Sequence, residues 1–269
     1  MRSIAACFKI LVIAFMALSV ALLQPFMLLV FFWKEKKPVW FFPHIFHRVA
    51  CLVTGVKLIR HGRDTYLDNK NATILYASNH TSYLDIIVIG SWLRGFFVAK
   101  SDIAGWPVFG FLARLQGTIF VERRPSAAKG QKEMLLNYVR RGENLLIFPE
   151  GTTTNGIDVY PFKSSLFGAF MDDSIKKDVI IQPVSLSYTH LNGAVIKGEE
   201  RDLVSWYKDE HELMPHLWAF LKHKHLEVHL TYLDPIKVKA EHNRKDLANQ
   251  CFEQVKLTHE QTLKACAKK

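Results

Sequence analysis

Apolar residues run almost unbroken from Ile4 to Trp33, interrupted by Lys9, Ser19 and the pair Gln24-Pro25, and the run closes on Lys34-Glu35-Lys36-Lys37. About twenty such residues cross a hydrocarbon layer as one helix, so residues 10–32 suffice for a single crossing with Pro25 as a kink. If Pro25 splits the run instead, helices over 4–23 and 26–42 dip into one leaflet as a re-entrant pair, with Trp33, Trp40, Phe41 and Phe42 at headgroup depth. Arg2 and Lys9 ahead of Ser19-Val20-Ala21 also suit a cleaved signal peptide, but apolar residues continue through Phe32, past any such cleavage point. The basic cluster after Trp33 favours the cytoplasmic side for the rest of the chain, which implies attachment to the inner (cytoplasmic) membrane. The chain therefore divides into an N-terminal membrane segment, 1–42, and a body, 43–269.

In the body the period changes. Trp40, Ile45, Phe46, Val49 and Ala50 recur at helical spacing, with His44, His47 and Arg48 between them, and predict an amphipathic helix over 39–51. Runs rich in β-branched and aromatic residues at 56–61, 73–77, 96–99, 118–121, 144–148 and 179–186 read as strands. Pro183 inside the last of these argues for an edge strand or a strand's end. Helical spacing follows His80 and fills 107–115, 126–141 with Gly142 just past its end, and 163–171. Beyond 190 the pattern predicts a helix over 203–222, a strand over 226–233 and a charged helix over 243–267. Strands alternating with helices across 54–190 define an α/β class, a central, mostly parallel sheet flanked by helices with the hydrophobic N-terminal segment appended.

Several of these strands end at residues that carry chemistry, which is where an open α/β sheet places its sites. The first is Ser78-Asn79-His80-Thr81-Ser82-Tyr83-Leu84-Asp85. Five residues on a helix turn through about 500°, which leaves two side chains roughly 140° apart, so a regular helix would not pair His80 with Asp85. With His80 in the turn before the helix, Asp85 can fold back onto one ring nitrogen and leave the other free to take a proton from a hydroxyl. The plainer reading is a capped helix start, with Ser78 or Asn79 as cap. Lys100 ends the next strand, and Glu122-Arg123-Arg124 another, where an arginine suits a bidentate grip on phosphate or carboxylate. Pro149-Glu150-Gly151-Thr152-Thr153-Thr154-Asn155-Gly156 forms a loop that can approach a polar ligand closely.

Composition narrows the classes. A hydrophobic share of 49% allows a full core and a membrane segment besides. Lys and Arg exceed Asp and Glu by 35 to 25, which favours an anionic partner. The basic residues neither gather on one helix nor interleave with aromatics, so nucleic acid is not the expected partner. Cys7, Cys51, Cys251 and Cys266 form no C-x-x-C pair. His225, Glu227 and His229 alternate along one strand, but a polar strand face accounts for them and no metal is called for. A non-catalytic, membrane-tethered anion-binding module would explain the charge and the apolar front, though not the pairing of His80 with Asp85. A hydrolase lacks the G-x-S-x-G elbow.

Asn79-His80-Thr81-Ser82-Tyr83-Leu84-Asp85 resembles the N-H-x4-D motif of the glycerolipid acyltransferase family, in particular bacterial 1-acyl-sn-glycerol-3-phosphate acyltransferases. Phe120-Val121-Glu122-Arg123, Phe148-Pro149-Glu150-Gly151-Thr152 and Ile181-Gln182-Pro183-Val184 resemble its later blocks, in the family's order. The resemblance covers roughly 40–235. It implies a fatty acyl transfer from acyl-CoA or acyl carrier protein to a lysophospholipid hydroxyl, with 1-acyl-sn-glycerol-3-phosphate as acceptor and phosphatidic acid as product. His80 would be the base and Asp85 its orienter. Arg123 with Lys100 would hold the phosphate, and Glu150-Gly151-Thr152 the glycerol backbone. The membrane lipid acceptor, the acyl donor and the bilayer are the implied partners, and no cofactor is needed. The family's third block continues with arginine where Thr153 stands; Lys163 can compensate, or the acceptor is the phosphate-free lyso-ornithine lipid of a related branch.

Overall fold

The apolar run folds as one helix, α1 (Arg2–Val30), with Pro25 inside it. The computed structural model describes residues 2–31, 39–122, 128–208, 212–239 and 241–268. The split considered at Pro25 does not occur, because the ring removes a single N–H and the turns on either side carry the helix through. Ala6, Val20, Gln24 and Met27 face the protein, while Ile4, Phe8, Leu11, Phe15, Leu18, Leu22, Phe26 and Leu29 are exposed. That spacing of three and four draws an apolar stripe down the outward face. Two polar side chains tie the helix down: Lys9 Nζ donates to the His223 carbonyl at 2.5 Å, and Gln24 Nε2 to those of Val39 and Leu115 at 2.6 and 3.2 Å.

Helix α2 (Phe41–Thr54) packs on α1 and ends at Gly55, whose φ of 79° is left-handed. A Cβ at Gly55 would stand 1.8 Å from the Lys224 carbonyl oxygen, so only glycine fits there. The sheet contains β1 (Val56–His61), β2 (Thr73–Ser78), β3 (Phe96–Lys100), β4 (Ile119–Val121), β5 (Leu145–Ile147), β6 (Val179–Leu191), β7 (Ala194–Val195), β8 (Leu226–Tyr232) and β9 (Ile236–Lys237). Among the described residues its order is β1-β8-β6-β2-β5-β3-β4, with β7 and β9 also on β6. Neighbours are parallel except where β7, β8 and β9 meet β6.

Helices α3 (Leu84–Gly90), α4 (Phe109–Leu115), α5 (Ala128–Arg140), α6 (Leu213–Leu221) and α7 (Arg244–Ala267) complete the layers. Strand β2 is buried throughout. Its Ile74 and Tyr76 join Val88, Ile89 and Phe220 in one core, and its Leu75 and Ala77 join Phe167, Phe170, Leu247 and Val255 in the other. A strand covered on both faces reads as an unbroken apolar run, and each such side chain contributes about 1.5–3 kcal/mol by leaving water. Helix α7 starts where Asn243 caps it, its Oδ1 accepting from the N–H groups of Lys245 and Asp246 at 2.9 and 3.0 Å.

Two further expectations are corrected. Pro183 lies in β6, an interior strand and not an edge. It is tolerated because β8 pairs with β6 only from Val184 onwards and β9 only at Ile180 and Ile181, so no ladder bond is asked of Pro183's nitrogen. The helix expected over 203–222 is interrupted: a 3-10 segment covers Gly198–Leu203 and α6 begins at Leu213. Between them the Trp206 main chain is used across loops, its N–H donating to the Thr81 carbonyl at 3.0 Å and its carbonyl accepting from Thr153 Oγ1 at 2.6 Å. Of the alternating residues on β8, Glu227 accepts from Lys57 at 3.0 Å and His229 Nδ1 meets His61 Nε2 at 2.9 Å, which is a polar network at the sheet's β1 edge.

Candidate active site

The site begins where β2 stops. Asn79 substitutes its carboxamide for a further backbone pair: Nδ2 donates to the Leu186 carbonyl at 2.9 Å, and Oδ1 accepts from the Leu186 N–H at 2.8 Å. The side chain thus closes the β2–β6 ladder and lets the main chain turn out of the sheet. His80 follows in that turn, four residues before α3, and its ring stacks on Phe148 with centroids 4.0 Å apart. One face and one edge of the imidazole are thereby held, and 19% of the side chain stays exposed.

Asp85, in the first turn of α3, is fully buried. Its Oδ2 accepts from His80 Nδ1 at 2.7 Å, Thr81 N–H at 2.6 Å and Ser82 N–H at 3.0 Å, and its Oδ1 from Tyr188 O–H at 2.6 Å. Four donors converging on one carboxyl select its ionised, acceptor-only form. Nδ1 must then carry the ring proton, which leaves the lone pair on Nε2 free to accept a proton from a substrate.

The loop after β5 backs the histidine. Gly151 N–H donates to the Phe148 carbonyl at 3.0 Å, closing a turn with Pro149 and Glu150 at its centre. Glu150 Oε1 accepts the His80 N–H and Oε2 the Tyr160 N–H, both at 2.6 Å, and Thr154 N–H donates to the His80 carbonyl at 2.9 Å. Burial pushes the Glu150 carboxyl up to about 8 against the pull of those two bonds, and the charge of Asp85 adds to the rise. Because both oxygens face N–H groups, the bonds favour the carboxylate.

Glu150, expected to touch the glycerol backbone, does not. At 1% exposure, with both oxygens committed to main chain, it instead holds the His80 loop from behind. Gly151 and Thr152 lie on the outer side of that loop, Thr152 exposed and Gly151 at φ 69°. Lys163 is exposed, and its N–H ties the loop back to the Pro149 carbonyl at 2.8 Å. Lys100 stands at the tip of β3, two strands from β2 and so roughly 10 Å along the sheet, where it is half-exposed and paired with Asp102. Arg123 lies outside the described residues. Thr153, in the family's arginine position, donates to the Trp206 carbonyl.

Sequence reasoning gave no role to Tyr188, Arg201 or His216. The signal for Tyr188 is a tyrosine in a buried strand, whose hydroxyl needs a partner. His216 reaches the motif through Tyr83. His216 Nε2 lies 2.7 Å from the Asp202 carbonyl, which can only accept, so Nδ1 bears the lone pair and the Tyr83 hydroxyl donates to it at 2.8 Å. Arg201, nearly buried, donates to the carbonyls of Gly156 and Tyr188 at 3.0 and 3.1 Å and so pins the glutamate loop to β6.

A histidine whose Nδ1 is held by a buried carboxylate, at the carboxyl ends of parallel strands, is the arrangement of a general-base site, one able to take a proton from a hydroxyl group. A family model described as Acyltransferase matches residues 57–187. The lyso-ornithine lipid O-acyltransferase of Brucella abortus is 37% identical over 220 residues, 80% of this chain and 79% of that one. That of Rhizobium meliloti is also 37% identical, over 80% and 74% of the two chains. A 1-acyl-sn-glycerol-3-phosphate acyltransferase of Neisseria gonorrhoeae is 34% identical over 38% of this chain and 41% of its own. In fold the chain is similar to the crystal structure of the 1-acyl-sn-glycerophosphate acyltransferase of Thermotoga maritima, with a TM-score of 0.65 at 20% identity over 97% and 98% of the chains. The chain belongs to the glycerolipid acyltransferase family.

Proposed function

We propose that the chain transfers a fatty acyl group from a thioester, acyl-CoA or acyl carrier protein, to the free hydroxyl of a lysolipid, with lyso-ornithine lipid as the acceptor. The observation that carries the chemistry is the 2.7 Å bond between His80 Nδ1 and the buried Asp85, which leaves Nε2 as the base. Nε2 takes the hydroxyl proton while the oxygen attacks the thioester carbonyl. On collapse the C–S bond breaks and the imidazolium returns the proton to the departing thiolate, so ester and free thiol leave without an acyl-enzyme.

Two things support the acceptor: the names of the Brucella and Rhizobium relatives, and Thr153, a neutral side chain already bonded to Trp206 where a guanidinium would grip phosphate. The second reading, 1-acyl-sn-glycerol-3-phosphate, is favoured by the name of the Neisseria relative and by the cations Lys100, Arg123 and Lys163. In it these cations hold the phosphate and Gly151-Thr152 line the glycerol. Detergent-solubilised enzyme given both acceptors in competition decides between them. The expected result is release of free thiol with at least about a tenfold preference in kcat/KM for lyso-ornithine lipid. Preference for the phosphate acceptor reverses that assignment, and thiol release without any lysolipid points to hydrolysis.

In this reading α1 lies along the cytoplasmic face of the inner membrane with its outward stripe among the acyl chains. Lys9 and Gln24 bond to the body about 22 Å apart along the helix, so a crossing helix would have to give up those contacts. Replacing Phe15 and Leu18, both exposed, by asparagine is expected to weaken sedimentation of the protein with zwitterionic phosphatidylcholine vesicles without lowering its melting temperature. A doubly substituted protein that sediments with the vesicles as fully as wild type would sink the interfacial placement.

A further inference from the structure

The ladder between β6 and β8 slips between Tyr188 and His190, a bulge in an otherwise regular strand. Bulges bend a strand and re-aim a side chain, and are common beside active sites. Tyr188, the last residue in register before this bulge, is 1% exposed and its hydroxyl is 2.6 Å from Asp85 Oδ1. Its placement is fixed from two sides. Arg201 holds its carbonyl at 3.1 Å, and Asn79 clamps Leu186, two residues earlier on the same face of β6, to the strand end that carries His80. Burial and the adjacent carboxylate push the phenol well above its usual range, so it keeps its proton and donates it to Oδ1.

We propose that Tyr188 is a positioning residue for acyl transfer: its hydroxyl fixes the plane of the Asp85 carboxylate against the imidazole and shares the carboxylate's charge, which sets the pH at which the pair begins to work. This rests on the acyl-transfer reading above. Among the described residues the other titratable groups near the cluster are Cys51 and Tyr83, both pushed up by burial and neutral, Glu150, which faces the His80 main chain, and Arg201, whose guanidinium is turned to the Tyr188 carbonyl. Removing the Tyr188 hydroxyl leaves all four in place.

Tyr188→Phe keeps the ring and deletes the oxygen. The expected result is a kcat about tenfold lower with KM changed less than about twofold. The acidic limb of the kcat/KM profile is expected to move up by about 0.5 pH unit, because the undivided carboxylate charge then falls on the imidazole, which holds its proton to higher pH. In an Asp85→Asn background the same change should move the limb no further, since the charge it acts through is gone. In the resting enzyme, the low-field proton resonance that disappears in His80→Ala should shift further downfield in Tyr188→Phe. A uniform loss at every pH, with limb and resonance unmoved, would make Tyr188 a packing residue and overturn the proposal. If wild-type enzyme turns over no lysolipid, the acyl-transfer reading falls instead, and the resonance still decides the place of Tyr188.

Discussion

Replacing His80 by alanine is expected to lower kcat/KM for acyl transfer by about 10³-fold or more, while folding and vesicle binding stay at wild-type levels. The separation of effects comes from how the residue is held. Its main-chain N–H and carbonyl make the bonds that matter to the loop, to Glu150 and Thr154, and alanine keeps both. What is removed is a partly exposed ring stacked on Phe148 and bonded to Asp85, together with the only lone pair the pair presents outward. Continuous detection of free thiol with a lysolipid acceptor measures the loss. Near-wild-type turnover by a folded His80→Ala protein would remove the histidine from the mechanism.

The second large effect belongs to Asp85→Asn. Alanine is the wrong probe here, because it would strand the Thr81, Ser82 and Tyr188 donors in the core, at about 1–3 kcal/mol each. Asparagine has one orientation that nearly fits. Its oxygen can take the place of Oδ2 and accept from His80 Nδ1, Thr81 and Ser82, while its N–H donates to the Tyr188 oxygen in place of Oδ1. The ring keeps its tautomer, and one buried hydroxyl hydrogen loses its acceptor. The expected stability loss is therefore modest, a melting point lower by a few degrees. The catalytic loss is expected to be about 10²–10⁴-fold, since a neutral amide no longer stabilises the imidazolium formed during attack. A variant within tenfold of wild type would show that orientation of the ring, and not the carboxylate's charge, is what Asp85 supplies.

Much of this was legible from residue order. The break of period at Asn79 and the offset from His80 to Asp85 required a turn before the helix, and the structure has one. The strand ends at Lys100 and just before Phe148 could be read because the runs leading to them are short and apolar, with Gly95 ahead of the first and Pro149 soon after the second. Contacts between distant stretches were not legible. Nothing local marks Trp206 as a bridge between Thr81 and Thr153, and its surroundings read as helix because Leu203, Trp206 and Tyr207 have helical spacing. Glu150 is misplaced by the sequence for a related reason. A carboxylate beside glycine and threonines looks open to a ligand, and only the fold shows that the N–H groups of His80 and Tyr160 reach it first. Pro183 reads as an edge signal until the gap between β8 and β9 is seen to fall opposite it.

The clamp between Asn79 and Leu186 makes strand β6 a gauge. Asn79 fixes one notch and Tyr188 reads the next on the same face, about 6.8 Å further on. A single inserted or deleted residue between them would turn the tyrosine to the opposite side of the sheet, towards α7. The length of that three-residue stretch should accordingly be far less free to vary than the loops on either side of the strand, whatever lipid the enzyme accepts.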